Sequence, residues 1–405
     1  MRISNTKNTL KSNSEKLIAL LFSLRAITFV WLAFASDIYM PWFSLLVLVL
    51  RYATIPIGVF YLCKQRGVST ADAKLLLPLI FYFLMLVVNT YGGYQGSYIH
   101  ELISIGCFLL MNRDMKIRIF EYFYKIILIS CAISIFVYVA YMLRIPIGFS
   151  QHPFYNDGVH SSYYQRWLIF AVLDNGYSII PRLCGIFNEP GGLGTVCGLL
   201  FAATFNYSGK WEKIILATTT VLTLSLAGYV LIIVYLIIYL AQKSWKYAAV
   251  AVALAVLFFA IPHIDWGNAE INSFAQRFAI TSEGLAGDNR VKTSFDDEYQ
   301  LMSSTEVFFG KGATYTSESG TSSYKNYIMQ FGILGFGVYL LLWLSAALKS
   351  SQRNRNCLIL LLIFLISLYQ RPVPLTNSYG YVLIFGGFLW ILAKQQEHLK
   401  GKKEV

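Results

Sequence analysis

The sequence predicts an all-α polytopic membrane protein, and three observations lead there. Of its 405 residues, 56% are hydrophobic and only 13% are charged, against roughly 25% charged in an ordinary soluble domain. Apolar runs of about 15 to 25 residues recur from one end of the chain to the other. The stretches between them are short and charged, so residues 1–405 read as a single integral membrane domain and a soluble enzyme is excluded. The formal charge of +12 is then a topology signal in a bilayer protein, and no nucleic-acid partner is expected.

The elements follow in order. A basic tail (Arg2, Lys7, Lys11, Lys16) precedes a first span at 17–35. Ala33-Phe34-Ala35 imitates a signal-peptidase site, but Arg25 interrupts the apolar stretch, so this segment reads as an uncleaved anchor. Spans are expected at 41–63, 75–91, 98–111 and 119–143, followed by an outer loop over 144–190. A span at 191–206, a long apolar run at 213–242 and a span at 247–262 lead to a second outer loop over 262–325. Spans at 326–348, 357–370 and 380–393 complete the chain.

The run at 213–242 decides the topology. As one helix it would leave Lys243, Lys246, Lys349, Arg353, Arg355 and the tail Lys394, Lys400, Lys402 and Lys403 outside, against the positive-inside rule. A turn near Thr223-Leu224-Ser225-Leu226-Ala227-Gly228 returns all of them to the cytoplasm. With the pair broken there, 21 of the 33 Lys and Arg lie inside and nine outside, while Arg25, Arg51 and Lys125 fall within spans. About twelve transmembrane helices result, with both termini cytoplasmic.

Cys63, Cys107, Cys131, Cys197 and Cys357 fall within spans or near the inner face, and Cys184 in an outer loop, so no disulfide framework is expected. The histidines (His100, His152, His160, His263, His398) are scattered without ligand spacing, and neither a metal nor a cofactor is expected. No internal repeat supports the duplicated halves of a transporter.

Both long loops lie on the outer side, which places the working face there. The first sets Arg144, Arg166 and Arg182 against Asp157, Asp174 and Glu189. The second sets Arg277, Arg290, Lys292, Lys311 and Lys325 against nine acids, so an anionic substrate would have to be held by individually placed arginines. The strongest local pattern is Arg182-Leu183-Cys184-Gly185-Ile186-Phe187-Asn188-Glu189-Pro190-Gly191-Gly192-Leu193-Gly194 at the mouth of a span. Asn188 is the expected N-cap, with Glu189 and Pro190 in the first turn. The helix start and Arg182 together would favour a phosphate. Glu189 reads either as a base that orients a hydroxyl or as a plain partner of the helix dipole. Gly194 and Gly198 are spaced as a small-xxx-small helix contact.

A second group comprises Arg277, Gly287-Asp288-Asn289-Arg290, Phe308-Phe309-Gly310-Lys311-Gly312 and Tyr324-Lys325-Asn326-Tyr327 leading into Phe331-Gly332-Ile333-Leu334-Gly335. With the Arg-x-x-Gly-Ile-Phe-Asn-Glu-Pro box, these segments resemble the Wzy-type O-antigen and exopolysaccharide polymerases. The resemblance covers the topology of nearly the whole chain and motifs in its second half. It implies a bacterial inner-membrane glycosyltransferase of GT-C-like, metal-independent type with two large periplasmic loops, 144–190 and 262–325. The implied substrate is an undecaprenyl-pyrophosphate-linked oligosaccharide, with the lipid bilayer, a chain-length regulator and a flippase as partners. O-antigen ligases share the layout but typically carry a histidine just before the Gly-Ile-Leu-Gly helix; Gly320-Thr321-Ser322-Ser323-Tyr324-Lys325-Asn326 has none, which favours a polymerase.

On that reading the leaving group is a pyrophosphate, and arginine suits its developing charge. Arg290 and Glu189 are the candidate catalytic residues; Arg182, Arg277, Arg371 and Tyr324 are the candidate substrate-binding residues. The alternatives are that each arginine ties its loop to a nearby acid and that Arg371 snorkels. Arg25 and Arg51, mid-span at a cost of roughly 2.5 to 3.5 kcal/mol each, should face the interior, either paired with Glu101 or another polar group or guiding the lipid pyrophosphate. Lys125 should pair with Glu121 at i,i+4. Tyr155, Tyr163, Tyr164 and Trp167 could stack on sugars, but Tyr163 to Leu173 also reads as an interfacial helix with an aromatic belt. The rival functions are a lipid-linked oligosaccharide flippase and a polyprenyl-monophosphate sugar transferase. The latter would use Asp37 as base and Asp296-Asp297-Glu298 as a metal cluster.

Overall fold

A computed structural model describes residues 13–27, 41–65, 67–68, 73–88, 97–156, 161–174, 180–276, 279–281, 284–285, 293–312, 315, 324–350, 354–370 and 377–401. The chain is mainly helical. The helices are α1 (13–27), α2 (Pro41–Lys64), α3 (Leu76–Val88), α4 (Ser97–Leu110) and α5 (Arg113–Met142), then α6 (Pro190–Thr204), α7 (Lys210–Leu222), α8 (Leu226–Ala241) and α9 (Trp245–Ala260). After the short α10 (Ala269–Gln276), α11 (Thr293–Gln300) and α12 (Ser304–Phe309) come α13 (Tyr324–Ser350) and α14 (Arg355–Gln370). The last helix is α15 (Ser378–Tyr381) joined through a π-turn at Val382–Gly386 to α16 (Gly387–Gly401).

Taken by length and composition, Arg113–Met142 and Tyr324–Ser345 can cross a membrane, and shorter apolar helices lie at Leu76–Met85, Ile99–Leu110, Pro190–Thr204, Leu226–Ala241 and Arg355–Tyr369. These helices and the apolar composition are those expected of a helical membrane protein.

The chain forms two units, and the division runs through α5 and α14. The first comprises 1–127, 294–361 and 371–405. In it, α2 and α4 approach closely at Gly58, where an added Cβ would stand 3.0 Å from Cys107 Cβ. The buried Arg25 pairs with Glu101 across α1 and α4 (3.0 Å) and donates to Thr54 Oγ1 (2.9 Å) and to the carbonyl of Arg51. The expected pairing with Glu101 is thus made by Arg25. Glu121 instead accepts from Trp390 Nε1 (3.2 Å), so the expected bond to Lys125 is not what orients it.

The second unit comprises 128–293 and 362–370. At its centre lies α6, every residue of which is buried except Gly192. The long apolar run is broken as the charge count requires. Thr223 ends α7, Leu224 takes φ +49, and the Ser225 hydroxyl caps α8 by accepting from Gly228 N (3.4 Å). The break needs only three residues, because a side-chain cap satisfies one of the amides that a helix start leaves open. Gly228 lies inside α8 and serves packing: an added Cβ there would be 2.9 Å from Gly194 O, and one on Gly194 would be 2.7 Å from Ser225 Cβ. Gly198 meets Leu231 in the same way. The small-xxx-small pair therefore admits α8 against α6.

The first long loop departs from the all-α expectation. Ser150–Asn156 (β1), Ser161–Trp167 (β2), Phe170–Asp174 (β3) and Arg182–Gly185 (β4) form an antiparallel sheet in chain order. Residues 163–173, expected as an interfacial helix, are the β2–β3 hairpin, with Tyr163 opposite Asp174 and Trp167 opposite Phe170. Aromatic and β-branched residues favour a strand wherever one face can be buried. Here Phe170, Ala171, Val172 and Leu173 are all buried. In the second loop, Ile280–Thr281 and Gly284–Leu285 form a two-residue ladder.

α13 is not one straight rod. Gly332 adopts φ +65, ψ −177, and the rings of Tyr327 and Tyr339 lie 4.7 Å apart, those of Tyr324 and Phe336 6.1 Å. Residues twelve apart on a straight helix would be separated by about 18 Å along the axis. The leg 324–331 therefore folds back on the leg that begins at Ile333, so Tyr324–Ser345, long and apolar enough by residue count, is not one straight rod, and neither is the expected span at 326–348.

Candidate functional site

The box at 182–190 is a junction within the second unit. β4 presents Arg182 at its start, and Arg182 Nε donates to the carbonyl of Thr223 (3.2 Å), the residue at which α7 stops. Arg182 thus ties the sheet to the α7–α8 break through a backbone carbonyl. Leu183 and Cys184 are fully buried, and burial pushes the Cys184 thiol far up, so it stays protonated and is no nucleophile. Its expected position in an outer loop is a strand position. Gly185 takes φ +58, and an added Cβ would stand 2.7 Å from Ser134 Oγ, so the turn favours glycine. Phe187 N closes that turn on Cys184 O (3.0 Å), and Ile186 and Phe187 are buried.

Asn188 and Glu189 emerge half-exposed. The cap of α6 is Glu189, one residue later than expected, with extended backbone (φ −137, ψ 140) and no side-chain cap bond. Pro190 at the first helical position fixes this register, since its locked φ suits the first turn and excludes the α region for the residue before it. Gly192 N and Leu193 N donate to Glu189 O (3.1 and 3.3 Å), so those two amides are not offered to a phosphate. The Tyr164 hydroxyl of β2 donates to the carbonyl of Asn188. Burial holds that phenol well above its usual pKa, with Cys184 and Glu189 adding to the effect. The Glu189 carboxylate beside this neutral donor can orient a hydroxyl or receive its proton. Tyr164, expected as a stacking or belt residue, is instead the tie that sets the start of α6. No spacing in the sequence signals this, because it depends on strand register.

Two segments of the second group of motifs, 308–312 and 324–335, lie in the first unit and dock on each other. Ser303 and Glu306 form a capping box on α12: Glu306 Oε2 accepts from Ser303 N (2.8 Å), and Ser303 Oγ accepts from Glu306 N (3.3 Å). α12 ends at Gly310 (φ +80), and Lys311 N and Gly312 N donate to the carbonyls of Met329 and Gln330 (2.7 and 3.1 Å). Those carbonyls lose their helical partners at the Gly332 break, so the Phe-Gly-x-Gly turn satisfies the broken end of the first leg of α13. Tyr315 closes the group by donating to Glu298 (2.7 Å) while its carbonyl accepts from Gln330 (2.9 Å). Tyr324, half-buried, packs its ring at a tilt against Phe336 at the head of the folded-back leg.

Arg277, Arg290 and Arg371 lie outside the described residues. Among the described residues no group of three or more His, Cys, Asp or Glu side chains is placed to hold a metal ion. Glu298 is engaged by Tyr315, and Asp297 is exposed. No protein-family model matches the chain, and no curated protein or solved structure does.

Proposed function

We propose that the chain is a polymerase of lipid-linked surface-glycan repeat units, acting at the periplasmic face of the bacterial inner membrane. The observation that carries this reading is the junction at 182–190. It sets a half-exposed carboxylate, Glu189, at the head of the buried α6, beside a neutral Tyr164 hydroxyl and with Arg182 on the adjoining strand. The wider reading has about twelve spans and cytoplasmic termini. Reporters fused after Lys246 and Arg355 should register cytoplasmic, and those in 150–175 and 280–310 periplasmic.

The reaction joins an acceptor hydroxyl to the anomeric carbon of the donor glycan. The bond from that carbon to the pyrophosphate oxygen breaks, and the electron pair leaves with the lipid pyrophosphate. Glu189 orients the hydroxyl and takes its proton. Arg290, with Arg277, Arg371 and Arg182, bears the growing phosphate charge, and Tyr324 contributes to substrate binding.

Gel analysis of the surface glycan tests the assignment. Arg290→Ala should abolish polymer while leaving the single-unit product and membrane abundance intact. Arg290→Lys should not fully rescue, because an ammonium lacks the planar two-pronged geometry. Normal polymer length in both Arg290→Ala and Arg182→Ala would overturn the assignment. A strain lacking the gene and missing even the single-unit product would point to a ligase instead.

A further inference from the structure

The β2–β3 hairpin ends in Trp167-Leu168-Ile169-Phe170, four apolar residues in a row. Trp167 and Phe170 pair across the tip with their rings stacked at 6.4 Å, and Leu168, at φ +54, is 58% exposed. A surface turn is ordinarily polar, with glycine or asparagine at such a backbone angle. This one is not.

The surroundings of the tip explain its composition. Trp167, Leu168 and Phe170 line a cleft of about 570 Å³ together with Ala132, Ile133 and Phe136 of α5. Those three lie six to ten residues before α5 ends at Met142, about 9 to 15 Å back along the helix axis. They also fall within the uncharged stretch 126–143, after Lys125, the part of α5 apolar enough to lie in hydrocarbon. On the same helix Ile129 and Phe136 are 60% and 57% exposed, as residues facing acyl chains would be. The apolar surface of the tip is continuous with that lipid-facing surface.

The polar atoms of the tip are treated accordingly. Arg166, the charged residue next to the tip, is buried, and its Nη2 donates to the carbonyl of Leu168 (3.2 Å). Hydrocarbon cannot hydrogen-bond a turn carbonyl, and an unsatisfied one costs several kcal/mol there. In water the same carbonyl would need no such partner.

We propose that the β2–β3 tip is a membrane anchor, with Leu168 and Ile169 inserted among the acyl chains of the leaflet on the Met142 side of the bilayer. The sheet is thereby pinned at a fixed depth, and β4 passes that depth to the start of α6 and to Glu189. The inference rests on α5 spanning the bilayer and not on the polymerase reading.

The test uses the full-length protein in vesicles of phosphatidylethanolamine and phosphatidylglycerol, in a Cys63→Ser background because Cys63 is exposed. Leu168→Cys and Ile169→Cys are compared with Gln151→Cys, an exposed position on β1. Cysteines at 168 and 169 should react several-fold more slowly with a charged maleimide than the one at 151. An environment-sensitive fluorophore at 168 or 169 should be quenched by chain-brominated lipids, and one at 151 should not. Reaction at 168 and 169 as fast as at 151 would place the tip in water and overturn the proposal. Slow reaction without quenching by brominated lipid would show that protein, such as a second copy, covers the tip, and would overturn it as well. Both readouts are independent of glycan synthesis.

Discussion

Gly310 and Gly332 meet backbone to backbone: a Cβ on Gly310 would run into the carbonyl of Gln330, and one on Gly332 into the carbonyl of Phe308. Each residue has positive φ, so each needs glycine twice, once for its conformation and once for the close approach. This pair makes the α12 turn and the α13 break one structural element.

Gly332→Ala should therefore destabilise the protein by roughly 1 to 3 kcal/mol from backbone strain, with the clash against Phe308 adding to it. Gly337, in the same helix, has nothing within 4 Å of an added Cβ. Gly337→Ala should be neutral or stabilising by about 0.5 to 1 kcal/mol. Thermal unfolding of both variants in detergent checks the contrast. Equal behaviour would show that the fold-back does not depend on Gly332.

The tie from Arg182 to Thr223 separates the structural from the catalytic role of that arginine. Removing a hydrogen bond from a charged donor costs about 1.5 to 3 kcal/mol, and Arg182→Ala should accordingly speed amide exchange at Ser225 and Gly228, the cap of α8. Unchanged exchange together with lost polymer would assign Arg182 wholly to substrate.

These two relationships show what the sequence could and could not reveal. The break at Thr223–Ser225 was legible because it follows from a global constraint, the side on which lysines and arginines must lie, together with a serine at the cap. The β2–β3 hairpin was not legible. Its turn, Leu168-Ile169, carries none of the usual turn residues, and its strands read equally well as an interfacial helix once they are assumed to lie at the membrane. The fold-back at Gly332 was hidden by apolar sequence on both sides, and its only signal was the run of Gly332, Gly335 and Gly337. At the site, the composition of the 182–190 box was legible, but the partners of Arg182 and Asn188 were not. Thr223 and Tyr164 reach them through strand and helix packing, which has no sequence spacing.

Arg25 and Glu101 form a buried pair in a span, 3.0 Å apart, with His100 Nε2 3.4 Å from the second carboxylate oxygen. Removing one partner leaves an uncompensated buried charge, which typically costs 3 to 5 kcal/mol. Arg25→Met should therefore sharply lower thermal stability and membrane abundance, as should Glu101→Leu. The double variant should recover a large part of the loss, because an apolar pair in hydrocarbon carries no charge to desolvate. A double variant as unstable as the sum of the singles would show that the two residues act separately.

Acid sensitivity should localise to α12. The amide of Ser303 first, then its hydroxyl, hold the Glu306 carboxyl below its ordinary value of 4.5, with Lys311 contributing. A carboxylate whose pKa is depressed by folding binds its proton less readily in the folded state, so its contribution is fully present above 4.5. That contribution is lost as pH falls through the lower folded value. As pH falls below 4.5 and through that value the capping box should open, and the Lys311 and Gly312 amides, which bond to α13, should exchange faster after correction for intrinsic rates. Glu306→Gln keeps an acceptor but does not titrate, so its exchange at these amides should be flat across the same window. A wild-type profile as flat as that of the variant would show that the cap does not hold the α12 turn against α13.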